Sequence, residues 1–150
     1  MTTGTTDPLP FVDAHTVTVD AGAEELWQRL LARLERSLSR EGGARYARLV
    51  RADPREPAGP RPLAEGSAYP GFRVVGAVPG RELALAGAHR FSSYSLVFRI
   101  EPLADGRTRL LAETRAAFPG VAGRIYRLLV ITSGGHALGM RRMLAGYRNP

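Results

Sequence analysis

The sequence predicts an α+β domain: a curved antiparallel sheet of about six strands gripping one long C-terminal helix, with short helices after the first strand. Three observations carry that expectation. Alternating apolar and polar runs follow one another from Gly71 onward, separated by the turn pairs Pro79-Gly80 and Asp105-Gly106. The last stretch, from Val121 to Tyr147, repeats its apolar residues at helical spacing. Ahead of both, a β-branched run leads directly into a leucine-periodic one.

Taken in order, residues 1–10 (MTTGTTDPLP) are polar and rich in threonine and proline, and are expected to form a disordered tail before a single domain over 11–150. FVDAHTVTV (Phe11 to Val19) puts Phe11, His15, Val17 and Val19 on one side, as a strand would. Asp20 is expected to open a helix, because Glu24 and Glu25 suit its positive end and Leu26, Leu30, Leu34 and Leu38 recur along one face. A break near Leu31 to Leu34 would divide it in two, although the periodicity does not require one. ARYARLVR (Ala44 to Arg51) reads as a strand. The next 19 residues, Asp53 to Gly71, hold five prolines, which excludes a regular element and predicts a long loop acting as a lid or binding loop.

The strands FRVVGAV, ELALAGAH, SYSLVFRIEPL and TRLLAETRAAF complete the expected sheet. Alternation predicts a dry face with Tyr94, Leu96, Phe98, Ile100, Leu110, Ala112, Thr114, Ala116 and Phe118, and a wet face with Arg99, Glu101, Arg107, Arg109, Glu113 and Arg115. On the final helix Ile125, Leu128, Leu129, Thr132, His136, Gly139, Met140, Met143 and Tyr147 share one arc, the natural partner of that dry face. Val130, Ile131 and Leu138 fall off the stripe and are expected against a neighbouring strand or subunit. Gly134 and Gly135 interrupt the helix, and are expected to permit a bend or the close approach of a backbone or ligand.

Composition narrows the function classes. The chain has no cysteine, which removes disulfides, thiol catalysis and thiolate metal sites, and its three histidines, His15, His89 and His136, are too dispersed to suggest a metal site. No apolar run is long enough to span a membrane and no export signal opens the chain, so a cytoplasmic location is expected. The net charge of +7 comes entirely from arginine, and no acid follows Glu113. Arg124, Arg127, Arg141 and Arg142 would therefore face an anionic partner; nucleic acid is the less favoured reading, since a solvated arginine-rich face gives the same pattern. Ser133-Gly134-Gly135 follows no strand and precedes no lysine, so it completes neither a phosphate loop nor a dinucleotide motif. Ser92, Ser93 and Ser95 lack the strand-to-helix turn that exposes a nucleophilic serine.

Three segments, HTVTVDAGAEELWQRL, PGFRVVGAVPGRELALAG and FPGVAGRIYRLLVITSGGHALGMRRML, resemble the START-like helix-grip superfamily that includes polyketide cyclases and dehydrases, often labelled SRPBCC. The resemblance runs from Val12 to Tyr147 and looks like an uncharacterised bacterial branch of that group. It implies a hydrophobic cavity between the sheet and the last helix. The superfamily includes lipid carriers, receptors and cyclases, so the fold does not choose among them.

Within that cavity the expected contacts for a small hydrophobic or aromatic ligand, lipid- or polyketide-like, are His136, Tyr94, His89, Tyr46, Phe72, Phe98, Thr132, Met140 and Met143. His136 is the candidate for hydrogen bonding or proton transfer, because an imidazole changes charge near neutral pH; a core histidine bonded to a backbone carbonyl is the plainer alternative. A polyketide cyclase or aromatase needs at least two of these polar groups on one ligand, and a pure binding domain is favoured over it. No cofactor and no metal is expected, and a homodimer is left open.

Overall fold

Among the described residues, six strands pair antiparallel in the order β1-β6-β5-β4-β3-β2, so the first strand closes against the last rather than against its neighbour in sequence. They are Phe11–Val19 (β1), Ala68–Tyr69 (β2), Phe72–Val78 (β3), Glu82–His89 (β4), Ser92–Pro102 (β5) and Thr108–Ala117 (β6). The computed structural model describes residues 9–39, 45, 48–54, 56–61, 63–132 and 134–148. Of the tail expected over 1–10, residues 1–8 lie outside the described residues, as do Tyr46, Ser133 and the side chain of Thr132.

The helix Ala23–Leu38 (α1) is continuous, without the break considered at Leu31 to Leu34, and it begins after Gly22 rather than at Asp20. Glu24 and Glu25 stand at its positive end and Arg36 at its negative end. Leu26, Trp27, Leu30 and Leu34 are buried, each contributing roughly 1.5–3 kcal/mol of apolar transfer. They meet Val17, Val19, Leu83, Leu85, Phe98, Ile100 and Leu110 in the main core. The sheet faces are as alternation predicts. Leu110 and Ala112 are sealed beneath the helices, while Arg99 pairs with Glu82 and Glu113, Arg109 with Glu101, and Arg115 with Glu113 on the other side.

Two expectations are corrected. Of the run expected as a strand over Ala44 to Arg51, the described residues Arg45, Arg48 and Leu49 are helical and none pairs in the sheet; the sixth place in the sheet is taken by Ala68–Tyr69 from within the proline-rich loop. An eight-residue run with apolar residues three and four apart fits a helical turn as well as a strand, and tertiary pairing decides. The loop itself is pinned to β4 by Asp53 and Ala88, which exchange backbone bonds of 2.7 and 3.1 Å, and it buries Leu63, Ser67 and Tyr69.

The second correction concerns the C-terminal helix, which is divided into Gly120–Arg127 (α2), a wider π-turn over Leu128–Thr132, and Gly135–Ala145 (α3). The break falls at Gly134, whose φ of 81° is left-handed, a conformation that carries little penalty without a Cβ. Open space surrounds that position, so its glycine serves the backbone turn and not a close approach. Because the break and the π-turn reset the helical phase, the single expected stripe does not survive. Leu128 is 60% and Leu129 68% exposed, whereas Met140 and Tyr147 are buried as expected, joined by Leu144 from outside the stripe.

Candidate functional site

At the end of the sheet where β4, β5 and β6 carry Gly87, Ser92, Thr114 and Ala116, the dry face runs short of large side chains. A hollow of about 320 Å³ opens there between the sheet, the end of α1, the loop and the divided helix. Of the expected contacts, His89, Tyr94, Phe72 and His136 stand on its wall. Phe98 is fully buried and Met140 nearly so, both in the main core, and Met143 packs at that core's edge beside a different hollow. Large apolar side chains that share a face with the cavity residues here do the packing rather than the lining. Val130 and Ile131, which fell off the helical stripe, are on the wall because the π-turn rotates them inward.

An aromatic cluster forms one side. His89 packs edge-on to Tyr126 with centroids 4.9 Å apart, Tyr126 stacks on Phe91 at 5.4 Å, and Phe72 meets Tyr94 edge-on at 5.3 Å. The backbone N–H of Phe91 donates to Nδ1 of His89 at 3.1 Å, which leaves the ring proton on Nε2, 3.3 Å from Oγ of Ser92. Burial holds the His89 pKa below the usual imidazole value. The Tyr94 hydroxyl donates to the carbonyl of Gly71 at 2.5 Å. Gly87 makes that contact possible, since a Cβ there would stand 2.1 Å from the Gly71 oxygen.

The opposite side holds His136, at the start of α3, and here sequence reasoning missed two partners. Nε2 of His136 lies 3.3 Å from Oδ1 of Asp13 and 3.2 Å from Oγ1 of Thr114. A carboxylate only accepts, so the nitrogen facing Asp13 carries the proton and Nδ1 remains as the ring's acceptor. Asp13 sits directly opposite Thr114 in the β1–β6 register, just past an irregularity at Phe11/Asp13. Nε2 of His15 lies buried 3.2 Å from the other carboxylate oxygen, without the alignment of a hydrogen bond. The two imidazoles thus address different oxygens of one carboxylate, and among the described residues no three histidine or carboxylate groups converge as a metal's ligands would. The available signal was parity: extending the Val19, Val17, His15 face by one step reaches Asp13, an acid on a dry face.

No family model and no curated protein matches the sequence. Solved structures do resemble its fold. A protein of Nitrosospira multiformis superposes with a TM-score of 0.58 at 12% identity, covering 91% of this chain and 92% of its own. CalU16 from Micromonospora echinospora gives 0.52 at 18%, covering 91% of this chain and 75% of its own. The Zhui aromatase/cyclase from a Streptomyces species gives 0.51 at 18%, covering 90% and 92%. The chain has the START-like helix-grip fold. Polyketide cyclase-like proteins share this fold, and the hollow lies where a helix-grip sheet meets its C-terminal helix. Among the described residues no helix is long and apolar enough to cross a membrane.

Proposed function

We propose that the protein binds a small hydrophobic or aromatic molecule in the hollow beneath the divided helix. The observation that supports this is the wall itself: Phe72, Phe118, Tyr126, Val130 and Ile131 supply apolar surface, and a few placed groups, His89, Tyr94, Thr114 and His136, supply polar points. Its 320 Å³ is at the small end of the roughly 300–1,000 Å³ common for ligand sites, which favours a compound of one or two rings over a long multi-ring chain. Native mass spectrometry of freshly purified protein is expected to show a retained lipophilic compound. Titration with 2-naphthol, followed by amide NMR, is expected to shift residues 89, 94, 126, 130 and 131 together. Protein that retains nothing and leaves those resonances unmoved by 2-naphthol would refute the reading.

A second reading rests on the Asp13–His136 contact. A histidine held in one tautomer by a carboxylate can take a proton from the carbon beside a ligand carbonyl and return it, while the carboxylate stabilises the transient imidazolium. The favoured probe is 2-tetralone in D₂O. Wild-type protein is expected to speed deuterium entry next to the carbonyl, and His136→Ala to lose about 10²-fold of that rate with binding retained. Exchange at the buffer rate in the wild type would leave binding alone.

A further inference from the structure

Ser92 lines the hollow and is only 3% exposed, so a hydroxyl proton left without an acceptor there carries a desolvation cost. Among the described residues its oxygen has one hydrogen-bond partner, Nε2 of His89 at 3.3 Å, and no second group accepts its proton. The direction of that one bond therefore decides what Ser92 offers to a guest. His89 and Ser92 face each other across β4 and β5, joined only by the turn Arg90-Phe91, so the pair sits where a hairpin is most constrained. The rings of Tyr126, Tyr94 and Phe91 pack against the imidazole at 4.9, 5.5 and 5.9 Å and hold its plane.

The Phe91 N–H donates to Nδ1, which must then carry a lone pair, and burial favours the neutral ring, so the imidazole proton is on Nε2. Nε2 donates to Oγ of Ser92 and cannot take the serine proton. Ser92 is thus no activated nucleophile. It is the end of a chain in which every hydrogen bond runs the same way, from the Phe91 N–H through the ring to the hydroxyl, and each bond polarises the next. The proton at that end is left for the hollow, where it calls for an acceptor. A carbonyl oxygen offers two lone pairs and brings no hydrogen of its own, which makes it the simplest complement. We propose that Ser92, backed by His89, recognises the carbonyl oxygen of the bound molecule, so that the ligand class is an aromatic ketone or aldehyde; this rests on the reading of the hollow as a binding site.

The test pairs 2-tetralone with 2-methylenetetralin, which has the same shape but a CH₂ group where the ketone has its oxygen. Both are titrated into the full chain and into Ser92→Ala. The variant is expected to bind 2-tetralone about tenfold more weakly, the scale of one buried hydrogen bond, and 2-methylenetetralin within about twofold of wild type. The infrared carbonyl stretch of bound 2-tetralone is expected to lie at higher frequency in the variant, a change that altered packing alone does not produce. Ser92→Cys keeps the volume with a weaker donor and gives the same comparison if the alanine variant does not fold. Equal weakening of both compounds, or a carbonyl stretch that is the same in wild type and variant, overturns the proposal while leaving the hollow as a binding site. Failure of both compounds to bind the wild type overturns the binding reading, and the role of Ser92 with it.

Discussion

His89 shows how one half-buried ring ties stability to pH. Its folded pKa is depressed by burial while the unfolded chain titrates at the ordinary imidazole value, so below that value the unfolded state binds more protons. Stability is therefore expected to be whole above about pH 6.5 and to decline as acid is added, until the depressed folded pKa is passed. His89→Asn keeps an acceptor for the Phe91 N–H and removes the titration. Urea melts at pH 7.5 and 5.5 should show a smaller difference for the variant than for the wild type, and equal differences would remove His89 from the acid response. At this scale the sequence was only partly legible. His89, Tyr94 and Phe72 follow from strand parity, which is strict, and so they reach the wall. Val130 and Ile131 do not follow, because they depend on a π-turn whose extra residue leaves no mark in a 3.6-residue pattern.

The elements themselves were more legible where hydrophobic period and turn chemistry agreed. Strands β3 to β6 satisfy both, and the Asp105-Gly106 turn has its glycine at φ 84°, as a tight hairpin requires. The Ala44 to Arg51 run is bounded by Gly42-Gly43 and Asp53-Pro54, but its apolar spacing fits a helical turn as well as a strand, so the turn signals bound an element without choosing its type. The C-terminal segment had a clear period and a conflicting glycine pair, and the glycines prevailed. That conflict yields a paired test within α3 and its cap. Gly134→Ala forces a side chain into a left-handed conformation and is expected to cost about 1–2 kcal/mol. Gly139→Ala lies inside the helix with open space around it, and is expected to gain about 0.4–1 kcal/mol by stiffening the unfolded chain. Thermal melts of the two variants should move in opposite directions. Equal shifts would mean that the helix runs through Gly134 unbroken.

For the molecule as a whole, the decisive feature is where large side chains stop. One end of the dry face is filled by Val17, Val19, Phe98, Ile100 and Leu110 against α1, and the other ends in Ser92, Thr114 and Ala116 beneath the divided helix. Small residues alone do not make a hollow, since helices usually settle onto them. Here Gly134 and the π-turn hold the covering segment in a path that follows its own backbone rather than the sheet. Ala116→Leu turns this into a signed prediction. In a packed interior the added carbons would force neighbours aside and cost about 1–3 kcal/mol. Over an empty site they bury apolar area without displacing protein, so stability should hold or rise by up to about 2 kcal/mol. In the same variant 2-naphthol binding should fall about tenfold or more, because the space its ring needs is then occupied by the chain itself. Loss of stability with binding unchanged would place the ligand elsewhere and close the hollow as a site.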